Sequence, residues 1–281
     1  GTLSIWEPET GTALQQLEAH ENWIGAVAIA PQAQRLATGG GDRAVKLWQW
    51  DDDLETITLA QTLAGHWSPI SAVAITADGE LVISASWDEI RIWDAATGTS
   101  LQRLTGDFGR VNALVIDPER RQFLSGSNDG QIRVWDLPTI ATAPESNLAL
   151  ENSAVAGAEA TPEASRTMPA LATTPRRSWN AHANGVSTLA LAADQGWVVS
   201  SGADNQIKTW AIASGTLHAP ALAQSVIVET IALSPDGMLA IGAQGHHVSL
   251  WDLPTGQVQA QLTRSQLPPI PAQYLPFPEA N

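Results

Sequence analysis

The chain has 281 residues, 44% of them hydrophobic, enough for one large all-β domain or two ordinary ones and for a real buried core. Acidic residues outnumber basic ones 29 to 14, a net charge of −15. Such a surface repels phosphate backbones and anionic lipid headgroups, which argues against nucleic-acid and membrane partners, and the absence of cysteine excludes disulfides, thiolate metal sites and a cysteine nucleophile.

The N-terminal residues read Gly1-Thr2-Leu3-Ser4-Ile5-Trp6, with neither an initiator Met nor a charged-then-apolar leader. No apolar run is long enough to cross a bilayer, and a cytoplasmic location is expected. Residues 3–6 are the first of six short strand-like segments that each end in tryptophan. The others are 45–48, 90–93, 132–135, 207–210 and 248–251. The steps between these tryptophans are 42, 45, 42, 75 and 41, and the fourth becomes 42 once 33 inserted residues are removed. That period suits a four-stranded propeller blade.

Within each period the strands follow in order. The first reads Ala26-Val27-Ala28-Ile29 and recurs at 72–75, 113–116, 188–191 and 230–233. A large apolar residue at every second place, with mostly Ala between, predicts a strand buried on both faces of a crowded centre. Turns such as Ala77-Asp78-Gly79 and Pro235-Asp236-Gly237 follow. A second strand runs through 81–84 or 123–125, the tryptophan-ending strand is third, and an outer strand such as 101–104 completes the unit. Nothing has helical periodicity. The predicted class is all-β, a β-propeller of four-stranded antiparallel blades.

Four positions recur in register. His20, His66 and His182 precede the first strand, and Thr38, Ser84, Ser125 and Ser200 lie on the second. Asp42, Asp88, Asp129 and Asp204 occupy the next turn, and Trp48, Trp93, Trp135 and Trp210 end the third strand. With its Gly65-His66 pair and its Trp-Asp pairs at 93–94, 135–136 and 251–252, the pattern resembles the WD40-repeat family, of bacterial type, over nearly the whole chain. The resemblance implies a hydrogen-bonded Asp, His, Ser/Thr and Trp network in each blade. The chemistry agrees, since a buried carboxylate needs donors and a Trp N–H needs an acceptor. A Ser-His-Asp set also suggests a nucleophile, but repetition blade after blade suits structural cement, and a nucleophile needs no four copies. No catalytic residue and no cofactor are expected.

Two blades depart from the pattern. Asp107 takes the third blade's His place, near Asp129, and the fifth has Gln224, Gly242 and His246 at the His, Ser and Asp places. The fifth blade is therefore predicted to be the least stable. Five complete blades are expected at roughly 24–66, 70–107, 111–182, 186–223 and 227–263, with 1–20 supplying half of another. A fragment of a seven-bladed parent, short of about 60 upstream residues, is the leading expectation, and a six-bladed ring closed by the tail the alternative. Residues 1–263 make the propeller. Within it 138–177, rich in Ala, Pro, Thr, Ser and Glu, reads as a disordered insertion between third and outer strands, serving as a tether or modification site or tolerated as surface. The stretch 264–281 is a Pro-rich tail.

In this family the loops before the first strand and after the second share a face that takes partners. Here those loops carry Trp23, Arg43, Trp67, Trp87, Phe108 and Arg110, residue types enriched at binding hot spots. The alternative is that each ring packs on a neighbouring loop, Trp67 stacking on Trp87. Adjacent His246 and His247 point apart on a strand, so no metal site is expected. The function that follows is a protein-interaction scaffold or docking module of a larger regulatory protein, binding a protein or peptide. A propeller-type enzyme with a central-channel site is the alternative. It is disfavoured because the inner strands offer only Asp117 as an ionisable group.

Overall fold

The computed structural model describes residues 1–7, 9–51, 56–139, 173–224, 227–244 and 247–263, with the side chains of Asp88 and Gln244 left aside. Most of the insertion, the whole tail and His246 lie outside the described residues.

Strand chemistry and turn residues divide the chain as the repeat requires. Strands β1 (Thr2–Trp6) and β2 (Ala13–Glu18) form a two-stranded antiparallel sheet. Blade 1 is the meander β3 (Ile24–Ala30), β4 (Arg35–Gly40), β5 (Ala44–Trp50) and β6 (Ile57–Ala64). Blades 2 and 3 share one seven-stranded sheet: β7 (Ala72–Ile75), β8 (Leu81–Ala85), β9 (Trp87–Asp94), β10 (Ser100–Asp117), β11 (Gln122–Ser127), β12 (Gln131–Asp136) and β13 (Arg177–Asn180). Blade 4 holds β14 (Val186–Ala192), β15 (Trp197–Gly202), β16 (Gln206–Ala211), β17 (Thr216–Leu217) and β18 (Leu222–Ala223). Blade 5 holds β19 (Thr230–Leu233), β20 (Leu239–Gln244), β21 (His247–Asp252) and β22 (Gln257–Thr263).

Two elements differ from expectation. The predicted loop at 105–110 is strand, because β10 serves blade 2 with its first half and blade 3 with its second. The shift is absorbed by a bulge between Thr105 and Arg110, where Gly109 takes φ +62°, a conformation glycine adopts without strain. Blade 4's outer strand is split around Pro220, which has no N–H to give to the ladder.

The core lies between neighbouring blades. Val73 and Ile75 of β7 pack with Ala26, Ala28 and Ala30 of β3, large residue against small, which is why alanine alternates along the inner strands. The inner strands β3, β7, β10, β14 and β19 are neighbours in that order. Burial on both faces holds for β7 and fails for β3. Val27 and Ile29, paired with Thr38 and Leu36, are 49% and 59% exposed. The sheet β1–β2 covers only the outer part of that face, around Leu36, Trp48 and Ile57.

Candidate functional site

The polar positions converge in blades 1 and 4. His20 Nδ1 lies 2.9 Å from Asp42, its Nε2 2.8 Å from Thr38 Oγ1, and Trp48 Nε1 donates to that hydroxyl at 2.9 Å. In blade 4 the matching distances are 2.7 Å for His182 to Asp204, 2.8 Å for His182 to Ser200 and 2.8 Å for Trp210 to Ser200. The direction of donation follows from the ends. An indole N–H only donates and a carboxylate only accepts, so the hydroxyl donates to Nε2 and Nδ1–H donates to Asp. The hydroxyls are buried and every proton of the network is bonded within the blade, which ties the segment before the first strand to the second and third strands.

The electrostatics fit. Burial raises the pKa of Asp42 and of Asp204, but His20 with the backbone amides of Ala44 and Glu21 at the first, and His182 with Lys208 at the second, together outweigh it, leaving both carboxyls below their ordinary value. Burial lowers His182, against the pull of Asp204.

In blade 2 Glu89 stands at the imidazole. His66 Nε2 meets Ser84 Oγ at 2.6 Å and Trp93 Nε1 donates to the same oxygen at 2.8 Å, while His66 Nδ1 faces Ser86 at 3.1 Å and Glu89 at 3.4 Å. The Asp88 side chain is outside the described set. Glu89 also takes Arg91 at 2.5 Å and Arg103 at 2.7 Å; burial raises its pKa, and these two bonds more than reverse that. Burial drives His66 down to about 4, against the attraction of Glu89.

In blade 3 Ser125 receives Trp135 Nε1 at 2.9 Å, but no imidazole is present. Asp107, expected in the His place near Asp129, is exposed, and Phe108 fills the space instead. Its ring meets Trp135 edge-on at 5.8 Å and lies 4.8 Å beneath the Arg133 guanidinium, which is paired with Asp129. Burial raises Asp129, and the bond and charge of Arg133 together with bonds from the Gln131 amide and Ser127 overcome it. Phe108 is therefore a correction to the expected rim set: at 7% exposure it is core, because β10 continues through the loop and turns the ring inward.

Sequence reasoning missed the basic residue two places before each of these tryptophans: Lys46, Arg91, Arg133 and Lys208. Lys46 Nζ reaches Ala19 O at 2.5 Å, and Lys208 Nζ reaches Ala181 O at 2.8 Å and Asp204 at 3.0 Å. The recurrence was visible at the same 42-residue period. In blade 5 the place is taken by Ser249 and the hydroxyl place by Gly242, and buried Trp251 Nε1 has no acceptor among the described residues.

The rim face sits above these networks. Trp23, Trp67 and Trp87 are 61%, 77% and 61% exposed, and no ring contact joins Trp67 to Trp87 among the described residues. Arg43, held at φ +69° in a turn, and Arg110 are exposed as well. Trp87 pairs with Arg110 across β9 and β10, which brings blade 2 and blade 3 residues together, and Trp23 lies over Gly41. At the expected place of the central channel, an open pocket between the inner strands is walled by Val27, Val73, Ile75, Leu114, Ile116 and Leu191. Asp117 is fully buried and occupied by Arg120 and Gln122. No group of His, Asp and Glu able to hold a metal occurs among the described residues, and none of their helices is long and apolar enough to cross a membrane.

Comparison with known proteins agrees with this architecture. Autophagy-related protein 16 of Arabidopsis thaliana is 34% identical over 45% of this chain and 24% of its own length. Mitochondrial division protein 1 of Schizosaccharomyces pombe is 28% identical over 48% and 26%. Guanine nucleotide-binding protein G(I)/G(S)/G(T) subunit beta-1 of Homarus americanus is 26% identical over 46% and 38%. The matched region thus spans well under half of each of these relatives. The family described as WD domain, G-beta repeat matches residues 11–49, 57–94, 98–136 and 173–211, which together exceed half the chain and coincide with the tryptophan-ending repeats. The chain belongs to the WD40-repeat family.

Proposed function

We propose that the protein is a non-catalytic interaction scaffold that docks a protein or peptide partner on the rim face carrying Trp23, Arg43, Trp67, Trp87 and Arg110. The observation behind this reading is the exposure of three tryptophans, Trp23 and Trp67 on loops and Trp87 at the start of β9, each close in sequence to a member of the polar networks. A rigid indole buries a large area on binding while freezing few rotors, so this is costly surface to leave in water without a partner. One relative is by its printed name a subunit, which fits an assembly role. The channel's apolar wall offers no converging ionisable groups, and that favours docking over chemistry.

The test is affinity capture with the wild type and with Trp67→Ala/Trp87→Ala, after circular dichroism has shown the variant folded. Loss of a stoichiometric partner from the variant supports the site. Identical captured sets would remove it. A reproducible hydrolase or lyase turnover abolished by substitution of a channel residue would overturn the non-catalytic reading.

A further inference from the structure

The opposite ends of the strands, away from the rim tryptophans, carry a feature that the scaffold reading does not use. Arg120 in the turn after β10, Arg176, and Arg177 at the start of β13 line one groove between blades 3 and 4, with a volume of about 470 Å³. The chain has only 14 basic residues against 29 acidic ones, yet three arginines line this groove and no carboxylate does among the described residues.

The three arginines are held differently. Arg120 is anchored by fully buried Asp117 at 3.1 Å and by Ala193 O at 3.0 Å, so its position is fixed by both blades. Arg176 makes an exposed pair with Asp136 at 3.3 Å, a contact of small worth in water and readily exchanged. Arg177 donates to Ser214 O at 3.0 Å and meets no carboxylate among the described residues. Gln122 and Gln195 add amide groups, while Val134 and Ile212 give the groove an apolar floor. Planar guanidinium groups bind carboxylates through paired N–H bonds, and one fixed arginine beside two exposed ones suits successive acidic side chains on an extended strand.

We infer that this groove is a docking site for an acidic peptide segment of a partner protein, separate from the tryptophan face. In a chain of charge −15, a locally basic groove selects an acidic segment by position, while the rest of the surface repels it.

The probe is fluorescein-labelled hexaglutamate, with hexalysine as control, followed by fluorescence anisotropy on the full chain at low and at moderate salt. Saturable hexaglutamate binding that weakens with salt and falls about tenfold or more in Arg176→Glu/Arg177→Glu is the expected result. Arg35→Glu, where blades 1 and 2 meet and the side chain donates to Gly79 O, serves as the comparison and should leave the affinity within about twofold. Absence of saturable binding, or equal affinity in the Arg176→Glu/Arg177→Glu variant and the wild type, would overturn the inference. Binding that appears only when residues 140–172 are deleted would also overturn it, because the acidic occupant would then be the chain's own segment.

Discussion

The six-membered ring of Trp251 packs against the α-carbon of Gly242, where a β-carbon would come within 2.9 Å of Cζ3, and its indole N–H meets no acceptor among the described residues. Trp48, Trp93, Trp135 and Trp210, which end the third strands of the other blades, each donate to a hydroxyl at the equivalent strand position. A buried, unsatisfied donor costs about 1–3 kcal/mol, so Trp251 contributes packing and loses part of it to desolvation. Trp251→Phe should therefore destabilise less than Trp210→Phe, by about 1 kcal/mol or more, when both are measured by urea unfolding. In an array whose units touch only their neighbours, the same deficit should make backbone amides of β19–β22 exchange with deuterium faster than those of β7–β9. Equal protection across the blades would contradict it.

The hydroxyl shared by imidazole and indole is the pivot of each network. Thr38→Val keeps the shape but leaves both His20 Nε2 and Trp48 Nε1 without a partner, since both are bonded to Oγ1 at 2.8 and 2.9 Å. The expected cost is about 2 kcal/mol or more, against less than about 0.5 kcal/mol for Thr38→Ser, which restores the group used by Ser84, Ser125 and Ser200. Thermal unfolding of the two variants separates the cases, and equal melting temperatures would mean that the hydroxyl is not shared.

Most of this architecture was legible because it is periodic. Trp48, Trp93, Trp135 and Trp210 announced the third strand of each blade, and the constant 22-residue step from His20 to Asp42 and from His182 to Asp204 announced a contact that the geometry shows at 2.9 and 2.7 Å. The parts that escaped are those where the repeat is broken and packing decides. Asp107 occupied the His place in register, but the inward volume beside Trp135 went to Phe108, a choice set by the path of β10 and invisible to residue counting. Glu89 lies at His66 because Arg91 and Arg103 from two strands hold it there. The exposure of Val27 and Ile29 follows from what neighbours blade 1, which no pattern within the blade records.

Of the four aromatic side chains the sequence places on one rim, Phe108 and Trp67 should behave oppositely when truncated. Phe108→Ala empties a core position against Trp135 and Arg133 and should cost about 3–5 kcal/mol. Trp67→Ala removes a ring that is mostly in water and should stay within about 0.5 kcal/mol. Chemical denaturation of the two single variants measures both. A large loss from Trp67→Ala would mean that its ring packs on the fold, and the docking surface would lose its centre.

Acid should weaken the fold through His66 before it reaches the carboxylates. Burial, working against Glu89, lowers this imidazole from its ordinary 6.5 to about 4. Between those values the unfolded chain binds a proton that the folded chain refuses, so stability rises with pH across the window. The contribution is complete above about pH 6.5 and is lost as pH falls toward 4, by roughly 3 kcal/mol in all. Glu89, Asp42, Asp129 and Asp204, all held below their ordinary values, lose theirs only at still lower pH. His66→Gln cannot take up that proton, so its melting temperature should fall less steeply between about pH 7 and pH 4.5 than the wild type's. A wild-type advantage that stays constant across this range would show that His66 does not carry the dependence.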